Sequence, residues 1–166
     1  MKLSAAAAMA AATFSLTGCD SSSLTPTAPV PPFGKTQTIA GGVEVNFKTT
    51  QLYGGKYQAF VDVTIPSDYF ASASDYVCIK TSDFSAKLDG KELESSQYKV
   101  TLGPNPWSSI SDTGLRTYNN TGTRQFRIEV TAPAGASKLQ VSYTFKHGDV
   151  EETATAEGDI GEDKKL

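Results

Sequence analysis

Period-two alternation of apolar and polar residues constrains this chain more than any other feature. Val43, Val45 and Phe47 alternate with Glu44, Asn46 and Lys48. Tyr57, Ala59, Val61, Val63 and Ile65 alternate with Gln58, Phe60, Asp62 and Thr64. The pattern returns in Phe126, Ile128 and Val130, and again in Leu139, Val141, Tyr143 and Phe145. Successive side chains of a strand point to opposite faces, so each run predicts a strand with one buried and one wet face.

Turn chemistry divides these runs. Gly54-Gly55 separates the first two, where a tight hairpin needs positive φ. Pro66 ends the second, because proline cannot donate to a ladder. Asp89-Gly90 follows a short run, Phe84 to Leu88, and predicts a hairpin there. Further strands are expected at Tyr76 to Thr81 and Gln97 to Leu102, with a helical turn within Ser67 to Asp75. Ala132-Pro-Ala-Gly-Ala136 links the two clearest strands. His147-Gly148-Asp149 turns into a polar last strand, Val150 to Ala156, expected at an edge where charge discourages pairing. About seven to nine short strands with frequent turns predict an all-β, antiparallel sandwich. That domain is expected over residues 35–160, followed by a polar tail at 161–166. The run of strand, Ala132-Pro-Ala-Gly-Ala136, strand resembles the later strands of immunoglobulin-like or fibronectin-like bacterial domains in a generic way, without a cysteine pair and with the lone Trp107 in a loop.

The start of the chain has a different character. Lys2 is followed by Leu3 to Leu16, an uncharged run of Ala, Leu, Met and Phe broken only by Ser and Thr. A membrane-spanning helix needs about 20 apolar residues, so this stretch is short for one and has the layout of a secretory signal. It ends in Leu16-Thr17-Gly18-Cys19. That motif resembles the lipobox of bacterial lipoproteins. The resemblance implies cleavage before Cys19, diacylglycerol on its sulfur, acylation of the new amine and an anchored, extracytoplasmic protein. It also makes Asp20 similar to the enterobacterial signal for retention at the periplasmic face of the inner membrane. Residues 19–34 carry Ser and Thr with Pro26, Pro29, Pro31 and Pro32, the composition of an extended tether rather than of a core.

Charge and composition exclude several functions. The chain carries −3 overall, and loss of Lys2 with the leader makes that about −4, with no clustered basic stretch for nucleic acid. With Cys19 acylated, Cys78 is the one remaining thiol, which rules out a disulfide within the chain. In Tyr76-Val77-Cys78-Ile79 it is expected to be a buried small hydrophobe. No catalytic set is expected: His147 is the sole histidine, lies by a glycine turn and has no Gly-x-Ser-x-Gly partner. Asp62 and Glu129, at polar strand positions, are expected to face water rather than to act as an acid pair. No metal or cofactor is expected, because zinc ligands are too few. Asp112, Asp149, Glu151 and Glu152 form no defined calcium loop.

One constellation stands out in a long polar loop expected over residues 103–123. Trp107, Arg116, Tyr118, Asn119 and Asn120 combine aromatic faces, amides and a guanidinium, which suits a protein hot spot or a sugar. A buried Trp107 capping the sandwich end is the competing reading. The expected function is a non-enzymatic, membrane-anchored module that binds another envelope component. A protein partner is the first expectation and a glycan on the Trp107 to Tyr118 segment the alternative; assembly by edge pairing at 150–156 is a third.

Overall fold

The computed structural model describes residues 28–53, 56–103, 109–111, 113–131, 133 and 135–160. Cys19, Asp20, Trp107, Asp112 and the Gly54-Gly55 turn lie outside them. Among the described residues eleven strands follow in chain order. The first six are β1 (Thr36–Ile39), β2 (Val43–Tyr53), β3 (Lys56–Thr64), β4 (Tyr76–Ile79), β5 (Phe84–Leu88) and β6 (Lys91–Glu92). The others are β7 (Tyr98–Leu102), β8 (Leu115–Tyr118), β9 (Thr123–Thr131), β10 (Lys138–His147) and β11 (Val150–Asp159). The expected helical turn is a short 3-10 segment, Ser67–Tyr69.

The strands form an antiparallel β-sandwich. One sheet has the order β1-β2-β3-β9-β7 and the other β11-β10-β5-β6, with the β4-β8 pair against β10. Register puts the alternating apolar residues in line: Val61 lies opposite Phe47 on one side and Phe126 on the other. In the second sheet Tyr143 is opposite both Phe84 and Ala154. The Phe84 ring then joins the sheets, with centroids 5.0 Å from Phe126 and 5.0 Å from Tyr143. The half-buried Tyr98 donates its hydroxyl to the Phe84 carbonyl at 2.8 Å.

Three short strands, β1, β6 and β8, exceed the sequence expectation. The most consequential is β8, which lies inside the segment read as a loop. Leu115-Arg116-Thr117-Tyr118 does alternate, but its fully inward residue is Thr117, 1% exposed, so polarity does not reveal the period.

The Asp89-Gly90 hairpin forms as expected, with φ of 48° and 80°, as a type I′ turn requires. The Asp89 carboxylate also accepts hydrogen bonds from Ser137 Oγ (2.7 Å), Ser137 N (3.1 Å) and Lys138 N (2.9 Å). Those donors, the Ser137 side chain first, hold its carboxyl below the ordinary value of 3.8. A lowered folded pKa means that the contribution is complete above the unfolded value and is lost as pH falls through the folded one. Asp89→Asn keeps the turn shape and removes the titration. Its urea midpoint should therefore fall less steeply than that of the native chain below pH 3.8; equal slopes would rule out this role.

Asp62 and Glu129 lie on the outer face of the five-stranded sheet, yet neither simply faces water. Lys48 pairs with Asp62 at 2.6 Å and Gln125 donates to it at 2.9 Å. Lys56 pairs with Glu129 at 2.8 Å, and Arg127 pairs with the same carboxylate. Burial raises the Glu129 pKa, but the hydrogen bonds from Lys56 and Arg127 outweigh it and leave the group below its usual range.

Strand β11 is at the edge of its sheet, as expected, but that edge is partly sealed. The Gln37 amide donates to the Thr155 carbonyl at 2.8 Å and accepts from its N–H at 3.3 Å, so one side chain mimics a strand neighbour. Glu157 N donates to the Pro31 carbonyl at 3.0 Å, and Ala40 N donates to the Glu152 carboxylate at 2.6 Å. Phe33 packs against the core where Gly158 leaves room; a Cβ there would meet the ring at 2.4 Å. Pro31 to Gly34, by composition part of the tether, thus contact the folded domain. At Thr155 and Glu157, pairing with another chain would first have to displace this strap.

Candidate functional site

The β4-β8 pair builds an outward face from residues far apart in sequence. Its register is Tyr76↔Tyr118, Val77↔Thr117, Cys78↔Arg116 and Ile79↔Leu115. Val77, Ile79 and Thr117 turn inward and are buried, which sends Tyr76, Cys78, Arg116 and Tyr118 outward. The strands meet closely because Gly114 opens β8 at φ 87°, where a Cβ would lie 2.5 Å from Cys78 Sγ and 3.0 Å from the Ile79 carbonyl.

Arg116 and Tyr118, expected together in a loop, are therefore together on a strand. Tyr76 completes the group. Its ring centroid is 5.6 Å from that of Tyr118, tilted by 53°, and Arg116 Cζ stands 4.6 Å from its centre. Interaction with the Tyr118 side chain first, and with Tyr76 after it, holds the Arg116 guanidinium above its usual range. Two aromatic rings thus orient a planar cation before any partner arrives, which lowers the entropy lost on binding. Asn119 is half-buried and begins the turn after β8, closed by Thr121 N to the Tyr118 carbonyl at 3.0 Å.

Cys78 departs from expectation. It is half-buried on the outer face rather than in the core, with Sγ donating to the Thr113 carbonyl at 3.0 Å. The apolar composition of its strand suggested two buried faces, whereas only Val77 and Ile79 occupy the core.

No family model matches this sequence, and no curated protein does. Among solved structures the chain is similar to part of a family 123 glycoside hydrolase from Clostridium perfringens, with a TM-score of 0.38 and 14% identity. The match covers 66% of this chain and 21% of that one. A likeness of that size carries nothing about activity.

Beside the aromatic face, between β4 and β10, is a shallow cleft of about 270 Å³. Tyr76, Cys78, Lys80, Asp83, Lys146 and His147 line it. Asp83 is buried; its carboxylate accepts the Lys80 N–H at 2.7 Å. Burial pushes this carboxyl up, against the Lys80 hydrogen bond and the charges of Lys146 and Lys80. His147 is the last residue of β10 rather than a free turn residue. Its Nδ1 is 3.0 Å from the Tyr69 hydroxyl and its Nε2 is 3.8 Å from Asp75.

Hydroxyl, imidazole and carboxylate in that order invite comparison with an activated nucleophile. The geometry argues against it: 3.8 Å is too long for the orienting hydrogen bond. Burial and the Asp75 charge also raise the Tyr69 pKa, whereas activation requires the opposite. Among the described residues no three His, Cys, Asp or Glu side chains gather as a metal site. Of the acids weighed for calcium, Glu152 is engaged by Ala40 N, and Glu151 lies 3.7 Å from Lys146.

Proposed function

We propose that this chain is a lipid-tethered, extracytoplasmic binding module without a catalytic role, which presents the Tyr76-Arg116-Tyr118 face to another macromolecule of the cell envelope. The tether reading is supported by Leu16-Thr17-Gly18-Cys19 and the proline-rich segment after it. The binding reading is carried by one observation: Arg116 stands over the Tyr76 ring, which is itself in contact with Tyr118, on the outer face of a paired strand. Tyrosine and arginine dominate binding hot spots because they combine large contact area with directed polar groups.

Combined replacement Arg116→Ala and Tyr118→Ala tests this. Both side chains point outward, so the urea midpoint should stay near that of the native chain. Retention of the mature protein's envelope partner, captured by cross-linking in detergent-solubilised membranes, should drop at least tenfold. Undiminished capture by the double variant would refute the assignment of this face.

A further inference from the structure

Strand β8 has a strand neighbour on one side only, because its sheet consists of β4 and β8 alone among the described residues. In an antiparallel strand the N–H and C=O of one residue point to the same side, and the sides alternate along the chain. Gly114, Arg116 and Tyr118 therefore share a side. It is the side away from β4, because turns close the groups of both outer residues. Tyr118 N donates to Thr121 Oγ1 at 2.9 Å, and the Tyr118 carbonyl accepts Thr121 N at 3.0 Å. Gly114 N donates to the Ser111 carbonyl at 2.8 Å, and the Gly114 carbonyl accepts Ser111 Oγ at 3.2 Å. Arg116 stands between them, and no described residue outside the ladder takes up its N–H or its C=O. The same residue carries the oriented cation. Its side chain is exposed, stands over the Tyr76 ring and faces Cys78 across the ladder, a thiol rather than an acid. The ion pairs among the described residues all lie elsewhere. Asp75, next to Tyr76 in the chain, is turned toward His147 at 3.8 Å and accepts Tyr76 N at 2.9 Å.

We propose that the open side of β8 docks an extended acidic segment of a partner protein, one residue of which pairs its main chain with Arg116 and sets its carboxylate against the guanidinium. A residue placed antiparallel opposite Arg116 supplies both main-chain partners at once, an acceptor for the N–H and a donor for the C=O. That matched pair at strand spacing selects a peptide over a glycan. The side chain of the docked residue stands on the same face as Arg116, with Cβ atoms roughly 5 Å apart. A Glu or Asp there meets the planar guanidinium with two parallel hydrogen bonds. Residues two positions along the segment point to that same face, beside Tyr118 or Gly114. The turns at Ser111 and Thr121 confine main-chain pairing to Arg116, so the charge contact decides which segments bind. This inference rests on the binding-module reading and names the partner's chemistry at that same face.

Arrays of capped pentapeptides test it, with Glu, Gln or Lys at the centre and all combinations of Val, Tyr, Thr and Ser at the flanks. The probe is the mature lipoprotein in detergent micelles, and the best binders are then titrated by fluorescence anisotropy. Glu peptides should bind about fivefold or more tighter than their Gln counterparts, and Lys peptides weaker than both. The preference should shrink as salt is raised. Methylating the central peptide nitrogen removes the donor to the Arg116 carbonyl and should cost about tenfold, whereas methylation one residue along, where the N–H points away from β8, should cost little. Arg116→Gln should erase the preference for Glu over Gln without moving the urea midpoint, because the side chain is exposed. Equal binding of the three series, no binding of any, or equal losses on methylation at the two positions overturns the proposal. If no peptide binds while the Arg116→Ala, Tyr118→Ala variant still loses its envelope partner, that partner is held without strand pairing, and only the binding-module reading stands. If that variant also keeps its partner, both readings fall.

Discussion

Phe126→Ala is expected to cost about 3–5 kcal/mol of folding stability, the usual range for emptying a buried phenylalanine site. Phe126 is fully buried in the five-stranded sheet, with Val61 and Leu102 directly opposite on its two neighbours. Its ring also reaches across the sandwich to Phe84. The cavity left by truncation cannot close easily, because ladders fix the backbone on both sides. A domain of this kind holds only about 5–15 kcal/mol in total, so the loss removes a large part of it. Phe60→Ala is the control. It lies on the same sheet but on the opposite face, half-buried between Lys48 and Arg127, and should cost only about 1 kcal/mol. Urea unfolding at constant m-value measures both. A Phe126→Ala loss as small as that of Phe60→Ala would show that the two sheets are not joined through this ring.

That contrast explains how far the sequence reaches. The strands β2, β3, β9 and β10 were legible because their inward residues are apolar and their outward ones mostly polar, so period and polarity coincide. They do not coincide in β8, where Thr117 is the buried residue, or in β4, where outward Tyr76 and Cys78 look as apolar as inward Val77 and Ile79. Arg116 and Tyr118 were therefore legible as functional residue types, but not their place on a strand. Tyr76 was missed because its partnership with Tyr118 is set by a pairing between segments far apart in the chain. A period-two reading of Leu115 to Tyr118 with threonine counted as an inward residue was the one local signal available. The sealing of β11 by Gln37 and Pro31 had no such signal. An amide satisfying a strand edge is a tertiary event, and the same side chain in a loop would read as ordinary polar surface.

Cys19→Ser is expected to abolish acyl labelling outright, leaving the precursor uncut or the protein released from membranes. The chemistry is that of a single atom. A thiol near pKa 8.5 furnishes a nucleophilic thiolate that a serine hydroxyl cannot match at neutral pH, so lipid transfer to this position should not survive the exchange. The physical consequence follows from acyl-chain arithmetic: one chain holds a protein only marginally, whereas two or more make release slow, so losing the modification changes partitioning by orders of magnitude. Cys78→Ser supplies the internal control. Its sulfur is half-buried and donates to the Thr113 carbonyl, a contact a hydroxyl can take over, and acyl labelling should remain at the native level. Radiolabelled palmitate incorporation, followed by membrane fractionation, reads both variants. Labelling that persists in Cys19→Ser, or that disappears in Cys78→Ser instead, would remove the anchor and with it the placement of the Tyr76-Arg116-Tyr118 face outside the cytoplasm. The domain's strap makes the result interpretable. Pro31 to Gly34 are held to β11 and β2 by backbone hydrogen bonds and by Phe33, well after Cys19 in the chain. The exchange should therefore leave the urea midpoint of the sandwich unchanged, and a lost label then reports on lipidation rather than on folding.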